Sequence, residues 1–217
     1  MSLLECLVGI ALCALLLNPL LRTSADLVIQ QMEYEKSQAL ISEAERAFEL
    51  IGRAIRIAGY RNIQSVASAN QKPRQKTSAI SFLEVNKKSG FRGSDALTIR
   101  HELSDGVDFD CIGNGLSKER TKNNLAMQGF LVDRQAGVPK GQRVNGGSLI
   151  CQSLDRQGRI QNTTLMNGVN TLLIEELNPT QAQSNGSQRL FKITLQMTDG
   201  AKLSLDLERT FATRNLL

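Results

Sequence analysis

Few residues in this chain are suited to acid–base or nucleophilic chemistry. The single histidine, His101, falls in the strand-like run Ala96–Leu103. A Ser-His-Asp or Cys-His centre would have to be built around it. No nucleophile elbow or other partner pattern flanks it, and the expected place for His101 is the surface or an edge strand. Three carboxylates, Asp105, Asp108 and Asp110, crowd into the segment Ser104–Asp110. Such a composition suits a hard cation, and the three form a weak candidate site for Ca2+. Their spacing departs from that of an EF-hand loop, so a solvated turn is the expected reading. Ile112-Gly113-Asn114-Gly115 lacks the third glycine and the strand-to-helix setting of a dinucleotide loop. Basic residues cluster at Lys72, Arg74 and Lys76, at Lys87, Lys88 and Arg92, and at Lys118, Arg120 and Lys122. Without interleaved aromatics they offer no base-stacking platform, and DNA binding is retained only as a minor alternative. These residues imply no cofactor and no enzymatic activity.

The four cysteines fall into two pairs. Cys6 and Cys13 lie in an apolar run, two helical turns apart, and cannot reach each other along one helix. They read as small packing residues. Cys111 and Cys151 lie in the polar part of the chain. Either they form a disulfide, which an exported chain favours, or they are two buried free thiols.

The least expected charge is Glu5. From Leu3 to Leu21 the sequence LLECLVGIALCALLLNPLL carries no other charge. As a helix it spans about 28 Å, close to a bilayer core. A cleaved signal peptide would need a preceding basic segment and a small-residue cleavage site, and neither is found here. A lipid anchor on Cys13 would need a small residue before it, where Leu12 stands. A carboxylate in such a helix costs about 2.5–3.5 kcal/mol at the bilayer centre. A position in the first turn lowers that cost through the helix dipole, and a cationic α-amino group, its own or a neighbour's, lowers it further.

Met1-Ser2-Leu3-Leu4-Glu5 followed by the apolar run resembles the mature N-terminus of type IV pilins and type II secretion pseudopilins. The resemblance implies cleavage by a prepilin peptidase, N-methylation of Met1 and an assembly role for Glu5 paired with the amine of the next subunit. Ile57-Ala58-Gly59-Tyr60, Asp95-Ala96-Leu97-Thr98-Ile99, Asp110-Cys111-Ile112-Gly113, Leu149-Ile150-Cys151, Gly168-Val169 and the stretch from Arg209-Thr210-Phe211 to Arg214-Asn215 resemble the PilW family of minor pilins. That family shares its layout with the pseudopilin GspJ. The resemblance implies a structural subunit that helps start pilus assembly at the fibre tip. Its partners would be other minor pilins and the major pilin. It would reside in the inner membrane before assembly and in the extracellular pilus afterwards.

The elements that would position these residues follow from periodicity. Leu40, Ala44, Ala47, Phe48, Ile51, Ala54, Ile55 and Ala58 recur at three- and four-residue intervals, which predicts an amphipathic helix ending near Gly59. Asn18-Pro19 is expected to break or kink the helix. Seven runs carry strand composition: Ala79–Val85, Ala96–Leu103, Met127–Asp133, Ser148–Ser153, Val169–Leu177, Leu190–Thr198 and Lys202–Phe211. The last two, joined by Thr198-Asp199-Gly200-Ala201, predict a hairpin. Gln64–Thr77, Gly113–Asn124, Gly137–Gly147 and Asn178–Gln188 read as loops. The expected fold is α+β and type IV pilin-like, with a long N-terminal helix packed on an antiparallel sheet. The expected organisation is an apolar helix segment over 1–22, its amphipathic continuation over 23–59 and a β-rich head over 60–217. A net charge of +5, with only 4% aromatic residues and no Trp, favours solubility over a deep aromatic ligand pocket.

Overall fold

The computed structural model describes residues 3–62, 81–135, 137–139, 141–142, 144, 146–177 and 189–214. Two loop expectations, Gln64–Thr77 and Asn178–Gln188, lie outside the described residues, as does part of Gly137–Gly147. One α-helix, α1 (Leu3–Ile57), precedes seven strands. The residues divide into two compact units, one ending at Ala39 and one beginning at Leu40.

The first unit is the front of α1. It holds an 18-residue window of mean hydropathy 1.8 with none of it buried, long and apolar enough to cross a membrane. Leu15, Leu20, Leu21 and Ile10 are each more than 60% exposed. The expected break at Pro19 does not occur, and Pro19 lies inside α1. Proline removes one amide donor, whereas the Leu and Ala residues around it are strong helix formers. The Thr23 hydroxyl lies 3.0 Å from the carbonyl oxygens of both Pro19 and Leu20.

The second unit joins the rest of α1 to one antiparallel sheet in sequential order: β1 (Leu83–Asn86), β2 (Ala96–His101), β3 (Ala126–Arg134), β4 (Gly147–Leu154), β5 (Ile160–Glu176), β6 (Leu190–Thr198) and β7 (Ser204–Ala212). All seven expected strands are present. The α+β class is therefore observed. Ala44, Ala47, Phe48, Ile51, Ala54, Ile55 and Ala58 are buried in one core with Phe130, Leu149, Leu172, Phe191, Ile193 and Leu195. Each fully buried Ile, Leu or Phe contributes about 1.5–3 kcal/mol. At Gly52 an added Cβ would collide with the Phe211 ring, so any side chain there would have to displace that ring. Gly59, at φ +74°, ends the helix and donates its N–H to the Arg100 carbonyl at 3.0 Å. The β6–β7 hairpin pairs Thr198 with Ser204, so its loop is Asp199–Leu203, two residues longer than the Asp199–Ala201 left between the expected strands.

β5 is the longest strand and begins well before the expected Val169. Its first part pairs with β4, from Leu154↔Ile160 to Gly147↔Val169. Its second part pairs with β6, from Val169↔Met197 to Glu176↔Phe191. Beyond Val169 its β4-side edge is therefore open, and the β1–β2 connection fills it. Asp95 donates its N–H to the Leu172 carbonyl at 2.8 Å. The Asp95 carboxylate accepts from Ile174 N–H at 2.9 Å, from Lys88 N–H at 3.0 Å and from Lys87 Nζ at 3.0 Å. Lys87 Nζ also donates to the Ile174 carbonyl. Burial pushes the Asp95 carboxyl up, but the Ile174 and Lys88 amides and the Lys87 ammonium outweigh it and hold the pKa below the ordinary 3.8. Asp95→Ala strands the buried Ile174 amide and the part-buried Lys88 amide and is expected to cost about 3 kcal/mol, read as a loss in urea midpoint. The depressed pKa means that Asp95 supplies its stability above 3.8 and loses it as pH falls through the folded value.

Candidate functional site

Glu5 is placed by its backbone alone, in the opening turns of α1. Met1 lies outside the described residues. Cys6 and Cys13 are free and exposed on α1. Cys111 and Cys151 form a disulfide with Cα atoms 6.1 Å apart, and both residues are buried. It ties the β2–β3 connection to the middle of β4.

The three carboxylates of the candidate Ca2+ cluster have separate partners. Asp105 Oδ1 accepts from Asn62 Nδ2 at 2.7 Å. Asp108 accepts from the Ser104 N–H at 2.6 Å and the Ser104 hydroxyl at 2.8 Å. Asp110 is buried; its Oδ1 accepts from the Ile112 and Asn114 amides at 3.0 and 2.8 Å. Its Oδ2 lies 3.1 Å from Arg120 Nη2. Among the described residues no three ligating side chains converge. Asp110 is thus not part of a solvated turn, and Arg120 is not part of a basic surface. Arg120 is 9% exposed, and its other donors reach the Leu154 carbonyl at 2.9 Å and the Gly115 carbonyl at 3.3 Å. The ion pair and the disulfide together pin the β2–β3 connection to β4. Sequence proximity of Asp110 to Cys111 was the only signal for this arrangement.

Lys87 and Arg92 are likewise spent within the fold, Lys87 on Asp95 and Arg92 on Asn170 and the Val144 carbonyl. Lys72, Arg74 and Lys76 lie outside the described residues.

His101 corrects the expectation of a surface or edge position. It is fully buried at the end of β2, an inner strand flanked by β1 and β3. Its inward alternation with Leu97 and Ile99 puts it on the core face. Nδ1 lies 3.0 Å from the Glu102 carbonyl and Nε2 lies 3.4 Å from Gln128 Nε2. Gln128 also donates to the Phe109 carbonyl at 3.3 Å. Burial lowers the imidazole pKa below 6.5, against the opposing pull of the Glu102 carbonyl and the Asp108 charge. The folded chain therefore keeps His101 neutral where the unfolded chain would protonate it. Stability is full above 6.5 and falls as pH drops below it. Melting temperature is expected to decline from pH 7 to pH 5, and His101→Gln to flatten that decline; an unchanged slope in the variant refutes the assignment.

Comparisons with known protein families, with curated proteins and with solved structures returned no match. The reading of function therefore rests on the helix and the head themselves.

Proposed function

We propose that this chain is a structural, non-enzymatic subunit of the type IV pilin-like kind, a minor pilin resembling the PilW family. The single supporting observation is α1. One helix carries an unburied apolar window and, further along, the apolar stripe that covers the sheet. Uncovered leucines at this density demand an apolar surround. A bilayer supplies it before assembly, and the helices of like subunits supply it in a fibre. The head is held by a disulfide, which fits a compartment that oxidises thiols.

In this reading the inner membrane holds α1 first. Prepilin peptidase frees the amine of Met1, which is then methylated. Glu5 offsets its burial by pairing with the amine of a neighbouring subunit, a minor or major pilin. The same helix fits a type II secretion pseudopilin or a single-span anchored binding domain. Mass spectrometry of the native N-terminus separates the last of these from the pilin readings. N-methylated Met1 is the expected result; an unmodified start preceded by further residues overturns the proposal.

A further inference from the structure

The sheet has a second face, turned away from the packed part of α1. Alternation along the strands puts Glu84, Arg100, Met127, Leu154 and Ile160 on that face, one from each of β1 to β5. They line a groove of about 630 Å³ at one end of the sheet, walled by Lys122 and Asn123. Five adjacent strands span about 19 Å, the length of roughly six extended residues.

The floor is apolar. Partly exposed Met127 and Ile160, 60% exposed, present its apolar surface over the buried Leu154. The rim is cationic on balance, with two basic side chains against one carboxylate. Arg100 donates to the Ser81 carbonyl at 2.8 Å and lies 3.5 Å from Glu84. Lys122 has no ion-pair partner among the described residues. From this complementarity we infer that the groove binds an extended peptide segment in which apolar and acidic residues alternate. Its apolar side chains cover Met127 and Ile160, and a carboxylate neutralises Lys122. Among the described residues no aromatic side chain lines the groove, so bases have nothing to stack on. The inference concerns the head alone and stands whether or not α1 enters a fibre.

The test uses the full chain in lipid nanodiscs and fluorescence anisotropy. The probe is a labelled, end-blocked peptide Leu-Glu-Leu-Asp-Leu-Glu; the control carries Lys at its acidic positions. Saturable binding of the acidic peptide is expected, with at least tenfold preference over the control. Lys122→Glu, at an exposed turn, should weaken the acidic peptide by about tenfold and improve the control, because attraction becomes repulsion. Ile160→Ser should weaken both peptides by about threefold, through lost apolar contact. Equal binding of the two peptides overturns the inference, as does indifference to both variants. Tighter binding of a single-stranded oligonucleotide overturns it in favour of nucleic acid.

Discussion

Glu5→Ala should leave the head folded and reduce incorporation into fibres by at least tenfold, a loss of about 1.4 kcal/mol or more. The head begins at Leu40 as a separate compact unit, so the melting temperature of the variant should match that of the parent. The substitution also makes the helix more apolar. Removing a carboxylate from a bilayer-depth helix relieves up to about 2.5–3.5 kcal/mol, so membrane insertion should improve. A general role of hydrophobicity therefore predicts more assembly, and an electrostatic pairing predicts less. The opposite signs make the measurement decisive. Glu5→Gln keeps the shape and removes the charge, and should behave as Ala does. Glu5→Asp keeps the charge on a shorter arm and should fall between. Quantitative blotting of sheared fibres against membrane fractions reads all three. Wild-type incorporation of Glu5→Gln would sink the pairing, whatever the state of the N-terminus.

The periodic parts of the fold were legible, and the polar parts were not. Leu40 to Ala58 announced a helix face at three- and four-residue spacing, and seven of those eight side chains are buried. Phe191, Ile193, Leu195 and Met197 announced the inner face of β6. Leu205 and Leu207 alternate as clearly yet are only half-buried, because β7 is an edge strand with no strand beyond it among the described residues. Composition hides a different class of residue. Ile160–Gly168, rich in Asn, Gln and Thr, forms strand because β4 offers its edge, not because of local preference. His101, Asp110 and Arg120 read as surface groups, and Asp95 carried no reading of its own, since isolated polar side chains are costly to bury. Each is buried because it satisfies a backbone group or an opposite charge that sequence spacing does not disclose. Asp95 reaches a strand edge 79 residues away. The same gap applies to the candidate site, where the disulfide could be anticipated and its supporting ion pair could not.

That ion pair sets the largest expected loss of stability. Arg120→Ala removes the partner of a carboxylate whose side chain is fully buried, and it strips donors from the Leu154 and Gly115 carbonyls. Leaving one member of a buried pair uncompensated costs about 3–5 kcal/mol. Against a total of about 5–15 kcal/mol this is a large fraction. At about 2–4 °C per kcal/mol for a domain of this size, the melting temperature should fall by about 10 °C. Arg120→Lys keeps the charge but cannot reach three acceptors from one planar fork, and should recover only part of the loss. Asp110→Asn with Arg120→Ala should cost less than the sum of the single changes, since the unpaired charge is gone. The neighbouring disulfide closes a loop of 40 residues and adds about 4 kcal/mol in the chain-entropy account. Reduction should therefore deepen the defect of Arg120→Ala rather than mask it, because the two constraints hold the same connection to β4 by different means. A melting temperature for Arg120→Ala within 2 °C of the parent, measured with the disulfide intact, would mean that the pair does not anchor the β2–β3 connection.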